Sequence, residues 1–286
     1  MNVGIIGLGL MGRAMARGLL DADHGVQGYD LRQDAMDAAR ALGVTVRADA
    51  SAVAEDADLL LLSLMTSDDR RRLLWGDQAL ATTLRAGMVV LDTTTGRPED
   101  TEDDHARLAA QSVRLADACI SGSSQVVLDR QAIALVGDTP DGAAGYDALL
   151  AAFTKTRHYF GAPGRGNRAK LVVNTVFGLH RLVLAEAFAL ARAGGFDLAE
   201  MLEVLKEGET YSTVMDTKGP KMLSGVYEPA AARLEQHAKD VGLILDYAAR
   251  MGAELPVSAL HQQMLARAME RGAGPLDNAA IYLAYP

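Results

Sequence analysis

The chain has 286 residues, a formal net charge of −9 at pH 7, 49% hydrophobic and 23% charged residues, and one cysteine. That length favours two ordinary domains, and the apolar fraction supports a sizeable core and excludes intrinsic disorder. The acidic balance supplies no positive field for nucleic acid or an anionic membrane, and Cys119 alone can form neither an intrachain disulfide nor a thiolate metal cage, so a reducing cytoplasm suits it.

No segment reads as the roughly 20 apolar residues that cross a bilayer. The apolar N-terminus lacks a basic start and carries Arg13 and Arg17 where an apolar core would continue, so it reads as part of the fold. From the start of the chain, short apolar runs alternate with helical stretches. Strands are expected at Val3–Ile6, Gly25–Tyr29, Leu59–Leu64, Met88–Asp92, Leu115–Cys119, Ala132–Val136 and His158–Phe160. Helices are expected between them, at Gly12–Leu20, Ala35–Leu42, Pro98–Gln111 and Tyr146–Phe153. Pro98 followed by Glu99 and Asp100 is a strong helix start, with proline in the first turn and acids at the positive end of the dipole. Such alternation implies a mainly parallel, doubly wound sheet.

At Gly161-Ala-Pro-Gly-Arg-Gly166 the pattern breaks. Beyond it, Asn167–Ala193 reads as one long helix stopped by Gly194-Gly195, apolar nearly all round and so expected to be buried. Leu198–Gly208, Ala231–Met251 and Pro256–Arg271 read as further helices. The expected architecture is α/β: a Rossmann domain over residues 1–162, then an all-helical substrate and oligomerisation domain over 163–286.

Gly7-Leu8-Gly9-Leu10-Met11-Gly12 satisfies G-x-G-x-x-G, follows an expected strand and opens an expected helix, the context that dinucleotide binding requires. Gly7 would make the tight turn, Gly9 would admit the pyrophosphate and Gly12 would let helix and strand pack closely. Asp30, at the end of the second strand, is placed to accept from the ribose hydroxyls of NAD. Arg32, two residues on, could instead bind the extra phosphate of NADP, so both cofactors stay open, with NAD favoured. Leu31, between them, and Leu64 and Met65, at the end of a later strand, are further expected cofactor contacts.

Several segments resemble the β-hydroxyacid dehydrogenase family, whose members include 3-hydroxyisobutyrate dehydrogenase and tartronate semialdehyde reductase. They are the Gly7–Gly12 turn with Met15-Ala16, Asp92-Thr93-Thr94-Thr95, Asp117-Ala-Cys-Ile-Ser121-Gly122-Ser123, Gly161-x-x-Gly164-x-Gly166-x-x-x-Lys170-x-x-x-Asn174, and Lys239-Asp240 with Leu255-Pro256. They run in family order over most of the chain. The resemblance implies a Rossmann domain with a helical domain that closes over the cofactor, hydride transfer between a nicotinamide cofactor and a small 3-hydroxy acid or its semialdehyde, and a homodimer or homotetramer. It also implies Lys170 and Asn174 as catalytic residues, Ser121, Gly122, Ser123 and Lys239 as substrate-binding residues, and Thr94 as a cofactor contact beside the nicotinamide half, Lys239 also standing near the nicotinamide. Departures are Ser123 for the third residue of S-G-G, Val173 for the first asparagine of K-x-x-N-N, Cys119 for a common proline and Asp138 for a second glycine after Gly137. These bear on the substrate more than on the chemistry.

Read from the residues alone, Lys170 and Asn174 share one helix face a turn apart, among apolar neighbours. A lysine in such company either snorkels to water or is held in a cleft for a purpose. As a base at neutral pH it would need its pKa lowered by desolvation or a neighbouring cation. An imine reductase has a similar fold and cofactor motif but generally lacks this lysine, and a non-catalytic cofactor-binding module is the rival outside enzymes. Arg70-Arg71-Arg72 reads as a solvated helix face. The histidines show no metal-ligand spacing, although His180 and Arg181 could line the pocket, and no metal is expected.

Overall fold

The alternation of apolar runs and helical stretches folds as a single eight-stranded sheet in the computed structural model, which describes residues 1–77 and 79–286. In chain order, β1 (Asn2–Ile6) leads to α1 (Leu10–Asp21), β2 (Gly25–Tyr29) to α2 (Gln33–Ala41), β3 (Thr45–Val46) to α3 (Ala50–Asp56), and β4 (Leu59–Leu62) to α4 (Ser67–Trp75). Then β5 (Val89–Asp92) leads to α5 (Pro98–Ala109), β6 (Arg114–Ser121) to α6 (Ser124–Leu128), and β7 (Ala132–Val136), through α7 (Pro140–Ala143) and α8 (Asp147–Ala151), to β8 (Thr154–Tyr159). The strand order is β3-β2-β1-β4-β5-β6-β7-β8, parallel throughout except for the antiparallel β6–β7 pair.

Adjacent residues of the central strands face opposite layers, as a pleated strand demands. Ile5 and Leu61 join Leu8, Met15, Leu19 and Phe153 in one core, while Ile6, Leu60 and Leu62 join Val53, Leu74 and Leu108 in the other. The chain reverses its direction of winding between β1 and β4, so the loops after β1, β4, β5 and β6 gather at the carboxyl end of the sheet beside that crevice.

The contact pattern divides the chain into Met1–Lys170 and Leu171–Pro286. That division lies past the expected junction at 162, because the first turn of the long helix is hydrogen-bonded to strand β6 and to the loop after β5. That helix, α9 (Arg165–Ala193), is followed by α10 (Leu198–Glu207), α11 (Thr213–Ser224), α12 (Leu234–Met251), α13 (Pro256–Glu270) and a 3-10 segment over Asn278–Ala284. Leu182, Phe188, Leu202, Val214, Leu234, Val241, Leu265 and Ile281 form the core of this second unit. The Lys218 ammonium bonds the buried Asp277 carboxylate at 2.8 Å.

Four expectations change. The short β3, α3 and α11 were not visible, the first two being brief and the last containing Pro220 inside the helix. Arg70 does not belong to a solvated face: it is fully buried, paired with Asp92 and with Asp104 at 2.9 Å, while Arg71 reaches Asp100 at 3.0 Å and Asp103 at 2.8 Å. A basic run therefore serves as a set of braces from α4 to β5 and α5, since a buried guanidinium requires carboxylate partners. Third, α9 is not buried all round, for Val172, Val176, Val183 and Leu190 are 51–76% exposed in the chain by itself. Fourth, its length and composition do suffice to cross a membrane, a test that the core helices of water-soluble proteins also pass.

Within the second unit His237 and His261 lie with their ring centres 5.1 Å apart, packed against Gly178, where a Cβ would meet them at 2.7–2.8 Å. Arg181 is buried beside them, with its guanidinium 4.6 Å from the centre of the Phe177 ring. Desolvation, and then Arg181, push His261 down from 6.5 to about 4. The unfolded chain therefore takes up this proton first, so the neutral imidazole's contribution is complete above pH 6.5 and is lost as pH falls toward 4. That shift corresponds to about 3 kcal/mol. Urea unfolding at pH 7 and pH 4.5 should show a loss of stability that His261→Gln, neutral at both pH values, reduces; an equal loss in the variant would contradict this origin.

Candidate active site

The turn after β1 leaves open the space that a pyrophosphate needs. Gly7 has φ +96°, and a Cβ there would lie 2.2 Å from the Ser63 carbonyl oxygen; a Cβ at Gly12 would lie 1.9 Å from the Gly7 carbonyl oxygen. Gly9 differs, because a Cβ there would meet nothing within 4 Å. Two glycines thus build the turn and the third keeps its outer surface clear. Helix α1 begins here without a side-chain cap and without an acid in its first turn, so its N–H groups and positive dipole end suit an anion.

Asp30 stands just beyond β2, where its Oδ2 accepts the Leu8 N–H at 2.7 Å and its Oδ1 accepts the Arg32 N–H at 2.9 Å. A carboxylate has about four acceptor positions, so it can tie down the glycine turn and still receive ribose hydroxyls. The Leu8 side chain lies in the core and leaves only its backbone to the turn, whereas Leu10 and Met11 begin α1. Leu31 is 83% exposed beside Asp30, and Arg32 places its Nε 3.7 Å from Asp30 Oδ1. On the neighbouring loops, the Leu64 N–H donates to Thr94 Oγ1 at 3.2 Å and the Thr94 N–H to Asp92 Oδ1 at 3.0 Å, while Met65 is half-exposed. Backbone N–H groups, one carboxylate and an uncovered turn are the donor set that a dinucleotide requires, and the residues present fit it.

Ser121 is the last residue of β6, and Gly122 and Ser123 follow it directly, at a carboxyl end of the sheet. Ser123, the departure from S-G-G, caps α6 by accepting the Val126 N–H at 3.4 Å. Lys170 lies on the second turn of α9 and is partly buried, its Nζ donating to the Ile120 carbonyl at 2.8 Å, one residue before that loop. Strand β6 therefore brings together the lysine and the serine loop, through a contact between residues 50 apart in sequence.

One turn along α9, Asn174 is buried and its Nδ2 donates to Asp240 Oδ2 at 3.1 Å. Lys239 Nζ lies 2.9 Å from the other carboxylate oxygen of Asp240. An ionised carboxylate only accepts, so the Asn174 amide must turn its nitrogen toward Asp240 and its carbonyl oxygen the other way. Asp240 was legible only as part of a motif, and its role as the common partner of Asn174 and Lys239 was missed. Arg70 was missed too, because nothing in the run Arg70-Arg71-Arg72 marks which arginine turns inward. Neither His180 nor Arg181 adds to this group; Arg181 packs against Phe177 and the histidines of the second unit. Among the described residues no cluster of histidine, cysteine and acidic side chains has the arrangement of a metal site.

A doubly wound sheet with an open glycine turn at its switch point defines a dinucleotide-binding protein. Residues 2–161 match the family described as the NAD binding domain of 6-phosphogluconate dehydrogenase, and residues 164–285 match that described as NAD-binding of NADP-dependent 3-hydroxyisobutyrate dehydrogenase. The chain belongs to the β-hydroxyacid dehydrogenase family, to which 3-hydroxyisobutyrate dehydrogenase belongs, and is an NAD(P)-dependent oxidoreductase. It is 28% identical to an L-threonate dehydrogenase of Cupriavidus necator, over all of this chain and 96% of that one. It is 27% identical to a 3-sulfolactaldehyde reductase of Escherichia coli, over 98% of this chain and 94% of that one. The crystal structure of a 3-hydroxyisobutyrate dehydrogenase from Salmonella typhimurium superposes with a TM-score of 0.90 at 25% identity, covering 99% of each chain.

The glycine geometry separates fold from binding. Gly7→Ala and Gly12→Ala should each destabilise the first unit by a few kcal/mol, through strain and backbone overlap. Gly9→Ala should melt like the wild type yet bind dinucleotide at least about ten-fold more weakly, because its Cβ occupies the pyrophosphate's approach. Paired thermal melts and titrations with NAD check this, and normal binding by Gly9→Ala would contradict it.

Proposed function

We propose that the protein interconverts a small 3-hydroxy acid and the corresponding semialdehyde, with Lys170 as the acid–base group and NAD favoured over NADP. When bound, the nicotinamide supplies the place to which the carbinol hydrogen leaves as hydride and from which it returns. Lys170 takes the hydroxyl proton in oxidation and gives it back in reduction. The observation that carries this reading is the tether of Lys170 Nζ to the Ile120 carbonyl at 2.8 Å. A carbonyl oxygen only accepts, so one N–H of Lys170 is directed at Ile120, which fixes the nitrogen beside the Ser121–Ser123 loop.

Asn174, with its carbonyl oxygen turned away from Asp240, is suited to accept from the Lys170 ammonium or from the substrate hydroxyl. The hydroxyls and N–H groups of the Ser121–Ser123 loop suit the substrate carboxylate, and Lys239 supplies positive charge for that carboxylate or for the nicotinamide side. Thr94, Leu64 and Met65 line the nicotinamide-bearing end, whereas Asp30 and Leu31 receive the adenosine end. Arg32 is close enough to Asp30 to soften the rejection of a 2′-phosphate, which supports weak use of NADP.

The exposed stripe of Val172, Val176, Val183 and Leu190 supports assembly into a homodimer or homotetramer in which a second copy covers α9. The compartment proposed is the cytoplasm, which suits a single cysteine that is itself buried. Burial holds the Cys119 thiol protonated, pushing its pKa well above the usual value.

Nicotinamide reduction followed by absorbance over a panel of small 3-hydroxy acids, with NAD and NADP in parallel, tests the reading. Lys170→Ala should lower kcat by about 10²–10⁴-fold with dinucleotide affinity unchanged. A variant as active as the wild type would remove Lys170 from the chemistry, and a wild type inactive on the whole panel, in both directions, would overturn the reading.

A further inference from the structure

The start of α9 has no cap of its own. The residue before Arg165 is Gly164, which lacks a side chain to accept from the free N–H groups of the first turn. Those groups are met from the sheet. Asp117, fully buried in β6, takes the Gly164 N–H on Oδ1 at 2.8 Å and the Asn167 N–H on Oδ2 at 2.6 Å. These are the two positions that a capping box serves from within a helix, satisfied here by a carboxylate 47 and 50 residues away.

The approach demands bare backbone on two sides. A Cβ at Gly137 would lie 2.0 Å from Asp117 Oδ1, and one at Gly166 would lie 2.8 Å from Oδ2 and 2.5 Å from the Leu135 carbonyl oxygen. The Asn167 side chain adds a second hold, its Oδ1 accepting the Gly96 N–H at 2.9 Å in the loop after β5. Lys170 follows three residues later, roughly 5 Å along the helix axis, and is gripped by the Ile120 carbonyl of the same strand.

The geometry points to Asp117 as a positioning residue: it pins the first turn of α9 to β6, so that the Lys170 amine is held beside the Ser121–Ser123 loop. This rests on the acid–base role given to Lys170 above. The carboxylate is installed at a cost, for burial, with Asp92 nearby, pushes its pKa up to about 6. A central strand retains such a group when something else depends on its charge, and what its two oxygens touch is the helix that carries Lys170. Asp117 therefore belongs to the support of the lysine, not to the binding of substrate.

Asp117→Asn keeps the size of the side chain and replaces one acceptor by a donor. Hydrogen–deuterium exchange of the ligand-free protein reads the pin directly: amides 164–170 should exchange at least about ten-fold faster while the rest of the sheet stays protected. In turnover, kcat should fall about 10–100-fold with KM and dinucleotide affinity within about two-fold. In a Lys170→Ala background the same substitution should cost less than about two-fold more, because its effect runs through that lysine. Unchanged exchange would overturn the proposal, as would a full multiplicative loss on top of Lys170→Ala, the result expected of a cap that only stabilises. Should Asp117→Asn fail to fold, Gly166→Ala keeps the carboxylate but drives a methyl group against it and the Leu135 carbonyl. It should give the same local exchange and the same loss of kcat, and normal behaviour would contradict the proposal. If the wild type turns over no hydroxy acid, the functional reading fails, and the exchange arm still decides whether Asp117 holds the turn.

Discussion

The buried carboxylate at the start of α9 is the contact on which the site depends. A strand and a helix far apart in sequence meet at Asp117, and the same strand supplies the Ile120 carbonyl that holds Lys170 and the Ser121–Ser123 loop that follows. Three functions thus line up along β6 in order: cap, tether and loop. Strands in a parallel sheet vary little in position, so a lysine referred to one of them has a fixed address that a loop could not provide. The glycines at 137 and 166 follow from this arrangement, because a side chain at either would fill space held by the Asp117 carboxylate, while Gly164 turns into the helix with φ +84°.

A second layer of charge supports the neighbouring loop. Arg70, fully buried, joins Asp92 to Asp104 and so connects the end of β5, the start of the Thr93–Thr95 segment, to α5. Asp92 in turn receives the Thr94 N–H, and Thr94 receives that of Leu64. Removal of one member would leave buried charges without partners, which costs far more than a surface pair contributes. In the helical unit Asp240 has the same logic on a smaller scale, since it orients Asn174 and Lys239 with one carboxylate. Buried or half-buried acidic side chains therefore set the positions of Thr94, Asn174 and Lys239, the polar groups on which the proposed chemistry draws.

Much of this was legible before any coordinates. The apolar run Leu59–Leu64 read as a strand of a parallel sheet, and the structure has that strand at Leu59–Leu62, while the glycine turn after β1 carried its own context. Lys170 and Asn174 share a face by helical arithmetic, yet residues alone left the lysine between snorkelling and catalysis, and the likeness to a family decided it. What stayed hidden was tertiary. Nothing local reveals that Asp117 caps a helix 47 residues on, that Arg70 rather than Arg72 of one basic run turns inward, or that Asp240 serves two partners. Long-range hydrogen bonds leave no periodicity. Thr45–Val46 was too short to register as a strand, and α9 was read as buried all round because composition does not distinguish a core helix from one with an exposed apolar face.

The most direct test of the account is a crystal structure of the ternary complex with NAD and the 3-hydroxy acid that the panel identifies. The account predicts the pyrophosphate over the Gly7–Gly12 turn, the substrate carboxylate on the Ser121–Ser123 loop, and the hydroxyl oxygen within about 2.6–3.2 Å of Lys170 Nζ. A substrate bound with its hydroxyl turned away from Lys170, or a dinucleotide seated elsewhere than on that turn, would contradict it.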